Sequence, residues 1–285
     1  MRFAAYELNG IQGLGVESGG AWRGLCAGDA GYPGPLESLI ARGGDALTAA
    51  GRQLEAAPAI QLSLVRLLPP LAHSEKVICV GLNYRDHSAE SGFKQPDFPT
   101  LFGRFNSSLI GHGAPILRPE QSVQLDYEGE LVAVIGKTAH DVSEADALDY
   151  VMGYSIFNDG SIRDYQFKAP QWTPGKNFDD TGAFGPWLVT ADELPPGCEG
   201  LRLETRLNGQ VVQSASTSDM VFPVAKLVSI LTSFLTLKPG DVIVTGTPSG
   251  VGMARKPQLF MKHGDVCEVE IEKIGVLFNP VRDRK

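Results

Sequence analysis

Cysteine is scarce in this chain, with four in 285 residues. Cys26, Cys79, Cys198 and Cys267 lie far apart, with no CxxC pair and no histidine at zinc spacing. That excludes a disulfide-stapled fold and a structural zinc site, and leaves free thiols of a reducing compartment. No apolar run approaches the roughly 20 residues that a membrane-spanning helix needs. The N-terminal MRFAAYELNGIQ has no basic stretch leading into an apolar one, so no secretory signal is expected and the cytoplasm is the expected location. Basic clusters are missing too, since 25 Lys and Arg face 33 Asp and Glu for a formal net charge of −8. Without a patch that neutralises phosphates, nucleic acid is excluded as a partner, although a small anion needs only a local positive site. The GxGxxG spacing of a dinucleotide loop is absent, as are internal repeats and low-complexity tracts.

What remains is ordinary globular composition, 43% hydrophobic and 20% charged. Residues 1–72 read as a small module. Its short strands MRFAAYEL, IQGLGVES and AWRGLC precede helical stretches near Pro35–Ala50 and Gly51–Ala57, and Pro69-Pro70 breaks the chain. Residues 73–285 carry strong strand signals at KVICVGL, VQLDYEGELVAVIG, YSIFND, RLETRLNG, DVIVTG and DVCEVEI. Two helices interrupt them, one after Ser143 with Asp146 three residues on, the other over roughly Pro223–Leu235. Many strands with few helices predict a β-rich α+β fold and exclude a doubly wound one.

Chemistry concentrates in a few places. In LDYEGELVAVI, strand alternation puts Asp126, Glu128 and Glu130 on one face, with neighbours about 6.6 Å apart. Three like charges beside a core repel one another, and a hard cation with oxygen ligands resolves the conflict. A solvated edge strand, or pairing with Lys and Arg, resolves it as well. Asp159 ends YSIFND abruptly and offers a third carboxylate, or else an Asx turn or helix cap. Two glutamates and an aspartate with no His or Cys cluster suit Mg²⁺ or Mn²⁺. His87 and Glu90, spaced i, i+3 in GLNYRDHSAESG, form either a water-activating base with its orienting carboxylate or a surface pair. Lys176 stands in the turn-like WTPGKNF, where a lysine is ordinarily solvent-exposed. The glycines of TGTPSGVG could turn backbone N–H groups toward a carboxylate.

Five stretches in order, KVICVGLNYRDHSAESG, LDYEGELVAVIGK, DALDYVMGYSIFNDGSIRD, QWTPGKNFDDTGAFGPW and LKPGDVIVTGTPSGVG, resemble the fumarylacetoacetate hydrolase family over residues 73–285. The resemblance implies an α+β catalytic domain built on a rolled mixed sheet, a variable N-terminal α+β appendage over 1–72, and a homodimer. It makes Glu128, Glu130 and Asp159 the ligands of Mg²⁺, Mn²⁺ or Ca²⁺, with Asp126 in the motif but outside the ligand set. It makes His87 and Glu90 the lid's acid–base pair, Lys176 a catalytic and substrate-binding group, and Arg163, Gln166 and Thr247 substrate contacts. Gly160 and Ile162 depart from the family's commoner residues and could reshape the pocket. The implied chemistry is metal-dependent hydrolysis of a C–C bond in an acylpyruvate or other 2,4-dioxo acid. The metal stabilises an enolate, and pyruvate and a carboxylic acid leave. Oxaloacetate-type decarboxylation or hydroxymuconate-type isomerisation would use the same site. A catalytically silent 2-oxo-acid-binding protein is the alternative of another class. The aromatics Phe93, Phe98, Phe102, Phe167 and Trp172 fit an apolar substrate tail, or simply the core.

Overall fold

A computed structural model describes residues 1–86 and 97–284. Its centre is a mixed sheet with twelve strands among the described residues. The strands Gly182–Thr190, Val151–Asp159, Gly129–Ile135, Val242–Val244, Val77–Gly81 and Thr100–Gly103 lie side by side in that order. The unbroken apolar run LVAVI follows from burial on both faces. Leu131, Ala133 and Ile135 enter one core with Leu203, Val269 and Leu277 of a second, five-stranded sheet. Val132 and Val134, pointing the other way, pack with Leu39, Ile40, Leu47 and Leu54 of two helices.

Those helices belong to the first 72 residues, and the sheet runs across the change in sequence pattern there. Strand Arg2–Leu8 pairs antiparallel with Gly182–Thr190, in register Phe3 to Leu188, and Ile11–Ser18 and Ala21–Cys26 continue outward from it. The helices span Leu36–Ala41 and Gly44–Glu55, so their break falls at Gly43 and not near residue 50. Gly43 has φ of 96°, which a side chain disfavours, whereas Ala49 and Ala50 sustain a helix. The helix expected after Ser143 is one 3₁₀ turn, Ala147–Tyr150, because Val151 already enters the central strand. Helix Val224–Thr232 lies within the predicted span. No helix among the described residues is long and apolar enough to cross a membrane.

Candidate functional site

The site forms where the two central strands end. Strand alternation holds from Glu128 to Glu130, but the long predicted strand is cut at Tyr127–Glu128 into Leu125–Asp126 and Gly129–Ile135. The neighbouring strand ends at Asp159, whose N–H donates to the Glu128 carbonyl at 2.9 Å. Carboxylate oxygens of Glu128, Glu130 and Asp159 therefore lie within 4.8 Å of one another, and all three residues are buried. Asp126 turns elsewhere. It accepts from the backbone N–H groups of Gly252 and Met253 at 2.7 and 2.9 Å and from Arg163 Nε at 2.8 Å.

Lys176 is the least expected member, because it is not exposed but buried at 2%. It ends the short helix Thr173–Lys176, and Gly175 lets that turn lie directly on the backbone of Gln166, where a Cβ would collide. Lys176 Nζ donates to Glu128 Oε2 at 2.5 Å and Asp159 Oδ2 at 2.6 Å, and stands 4.9 Å from the centroid of the Phe102 ring. Arg163 bonds Gln166 Oε1 through Nη1 at 2.9 Å and pairs with Glu128 Oε1 through Nη2 at 2.7 Å. Glu128, Glu130, Arg163, Gln166, Lys176 and Thr247 share one cleft, walled also by Phe102, Phe167 and Trp172. Phe98 is exposed and does not line it. His87, Glu90 and Phe93 lie outside the described residues.

The Thr247 hydroxyl is already engaged, donating to the Gly129 carbonyl at 3.0 Å and accepting from Gln213 Nε2 at 2.8 Å. It ties the TGTP loop to the glutamate-bearing strand. Sequence reasoning missed Gln213 and Arg104, both buried. Arg104 reaches Asp159 Oδ1, the Gly160 carbonyl at 3.2 Å and Thr181 Oγ1 at 2.7 Å.

Four buried carboxylates, Asp126, Glu128, Glu130 and Asp159, thus face three buried cations, Arg104, Arg163 and Lys176. Glu130 is the member without a direct ion pair among the described residues; its contact is the Gly246 N–H, at 2.6 Å from Oε2. Burial, and then the Asp159 and Glu128 charges, push its carboxyl well above the usual carboxylate range. Burial works against the Lys176 ammonium, but Asp159 and Glu128 outweigh it and the net shift is upward. Arg163 is likewise opposed by burial and held charged by Glu128 and Asp126. Burial, Asp159 and Glu130 drive the Cys79 thiol well up, which leaves it inert as a nucleophile. An all-oxygen donor set with surplus negative charge fits a divalent hard cation.

A pH signature follows. On the reading that this cluster holds a cation, the raised Glu130 carboxyl predicts that binding releases protons and weakens as pH falls. Calorimetric titration of chelator-stripped protein in buffers of different ionisation enthalpy should register that release. An affinity independent of pH across the acidic range would contradict it.

Comparison with known proteins gives a consistent neighbourhood. The pattern of the fumarylacetoacetate (FAA) hydrolase C-terminal family matches residues 76–282. The human protein described as oxaloacetate tautomerase FAHD2A, mitochondrial, is 40% identical over 285 residues, covering 99% of this chain and 90% of the relative. A Xenopus laevis protein described as oxaloacetate tautomerase fahd2, mitochondrial, is 41% identical over 272 residues, 94% of this chain and 85% of the relative. Among solved structures, a fumarylacetoacetate hydrolase from Exiguobacterium antarcticum superposes with a TM-score of 0.86 at 38% identity, covering all of both chains. A 5-carboxymethyl-2-hydroxymuconate delta-isomerase from Mycobacterium smegmatis gives 0.77 at 32% identity, again covering all of both chains.

Proposed function

The chain belongs to the fumarylacetoacetate hydrolase family, and within it we propose a keto–enol tautomerase of a small 2-oxo dicarboxylic acid of the oxaloacetate class. In this reading Glu128, Glu130 and Asp159 hold a divalent ion, Mg²⁺ or Mn²⁺. The observation that carries the proposal is the buried Lys176 ammonium, kept protonated by Asp159 and Glu128 on the floor of a cleft that also holds Arg163. The names of the 40%-identical relatives point the same way. When bound, the ion supplies Lewis acidity that favours the enolate of a 2-oxo acid.

The chain's own groups do the rest. Arg163 donates through Nε to Asp126 and through Nη1 to Gln166, while Nη2, ion-paired with Glu128 but making no hydrogen bond, keeps its hydrogens for a substrate carboxylate. Lys176 presents a fixed positive donor to the 2-oxo oxygen as negative charge grows there, with no reorganisation needed at that moment. Phe102, Phe167 and Trp172 narrow the cleft and limit water around that oxygen.

C–C hydrolysis of an acylpyruvate is the second reading, favoured by the i, i+3 spacing of His87 and Glu90 in the sequence. It begins from the same enolate but adds an attacking water, which needs a base. One experiment separates the two. Enol-oxaloacetate consumption and pyruvate release from a panel of acylpyruvates are followed with native and His87→Ala protein, before and after chelation and Mg²⁺ return. Tautomerisation should be chelator-sensitive and restored by Mg²⁺. Hydrolysis, if present, should fall by about 10²–10⁴-fold in His87→Ala while tautomerisation falls less. Acylpyruvate cleavage with no effect on enol-oxaloacetate would replace the first reading by the second.

A further inference from the structure

The charged end and the aromatic end of the cleft are held in different ways. Arg163 and Lys176 flank Glu128, one on each carboxylate oxygen, so ion pairs fix that end. Beyond Lys176 the walls are apolar. Its Nζ stands 4.9 Å from the centroid of the Phe102 ring, and Phe102 meets Trp172 edge-on with 5.6 Å between centroids. Trp172 in turn is seated on Gly81, the last residue of strand Val77–Gly81. A Cβ built on Gly81 would lie 2.3 Å from Trp172 Cζ3 and 2.8 Å from Cη2, so the six-membered ring fills the place of the missing side chain. The backbone does not call for glycine there. Gly81 pairs in register with Thr100, and the left-handed φ, 58°, belongs to its neighbour Leu82. The indole is what requires it. Space is short as well, with a cavity volume of about 30 Å³ in this cleft against about 440 Å³ beside Leu47 and Tyr150.

We propose that Trp172, seated on Gly81, sets the length of acid that the cleft accepts: a four-carbon 2-oxo diacid ends at the indole, and a longer one collides with it. The inference rests on the oxaloacetate-class reading, in which the carboxylate beside the 2-oxo group lies on Arg163 and the 2-oxo oxygen on Lys176. The rest of the molecule then points toward Phe102 and Trp172. An ion-paired wall yields to a charged ligand, because one pair is exchanged for another. The indole wall yields only if the ring leaves a seat shaped for it and gives up its close contacts. Trp172 is therefore a specificity-determining residue, and Gly81 is a positioning residue that acts through it.

The test measures inhibition of enol-oxaloacetate consumption by 2-oxoglutarate and 2-oxoadipate in saturating Mg²⁺, joined to calorimetric titration of the same acids and of oxaloacetate. Native protein should bind 2-oxoglutarate at least about tenfold more weakly than oxaloacetate, within the range that one methylene commands in a fitted pocket. Trp172→Leu removes the ring and should narrow that gap by about tenfold. Gly81→Ala puts a methyl where the ring lies and should shift the gap by about threefold or more. In the Trp172→Leu background the same methyl has no ring to displace, and should shift it by less than about twofold. A native gap under about threefold, a gap unmoved by Trp172→Leu, or an equal effect of Gly81→Ala in both backgrounds would overturn the proposal and leave the tautomerase reading intact. A calorimetric gap that responds as expected, with no consumption of enol-oxaloacetate, would uphold the length limit and remove tautomerisation. No binding of any of the three acids would remove both.

Discussion

Replacing Lys176 by methionine should lower turnover by about 10²–10³-fold, the cost of losing one fixed donor to a developing oxyanion. Methionine is unbranched and one heavy atom shorter, so it removes the ammonium that stands near the Phe102 ring and cannot carry charge. Divalent-ion binding should survive and tighten, because the ammonium and the ion compete for Glu128 Oε2 and Asp159 Oδ2. The stripped variant should be less stable than the stripped native protein, since two buried carboxylates lose a counter-charge, and Mg²⁺ should restore most of the difference. Turnover, a metal titration and thermal melts with and without Mg²⁺ read these effects separately. Turnover within a few-fold of native would remove Lys176 from the chemistry. Loss of metal binding along with turnover would make it a structural prop of the carboxylate cluster.

That experiment also bears on why a lysine whose local sequence alone reads as exposed is buried. Thr173–Lys176 gives no periodicity, and nothing local in it says that Glu128, 48 residues earlier, waits above Nζ. The acids are different. Glu128 and Glu130 sit in a run otherwise fit only for a core, and Asp159 stops another such run, so the conflict between charge and burial is visible in the sequence itself. Where the conflict was legible, the grouping was too. Arg104 carries no such mark. In the segment GRFN it reads as an exposed turn residue, and its partners Asp159 and Thr181 are 55 and 77 residues away. Gln213 is equally silent for the same reason. Long-range pairing hides the sheet as well: the strands of residues 1–26 are legible, but the docking of Arg2–Leu8 on Gly182–Thr190 is set by packing across some 180 residues. A propensity-based reading also prolongs the turn after Ser143 into a helix, because it cannot see that Val151 is claimed by the neighbouring strand.

Asp126 is where strand alternation misleads, and the largest stability change should follow from it. Alternation places it beside Glu128 and Glu130, yet the break at Tyr127–Glu128 turns it to the loop at Gly252 and Met253 and to Arg163. Oδ1 accepts from the Tyr127 and Gly252 N–H groups and Oδ2 from the Met253 N–H and Arg163 Nε, so every contact requires an acceptor. Asparagine can supply one acceptor oxygen only. Whichever way its amide turns, an NH₂ meets N–H donors, and Arg163 loses one of its two buried counter-charges. Breaking such a pair typically costs about 3–5 kcal/mol, so denaturant unfolding of Asp126→Asn in saturating Mg²⁺ should show a loss of that order. Metal binding should persist, because Asp126 is outside the cluster of Glu128, Glu130 and Asp159. Arg163, released from Nε, should hold the substrate carboxylate less well, so KM should rise more than kcat falls. A loss of under about 1 kcal/mol would mean that Arg163 and the loop are positioned by other contacts. A loss of metal binding would mean that the carboxylate cluster depends on the Asp126–Arg163 pair to hold Glu128 in place.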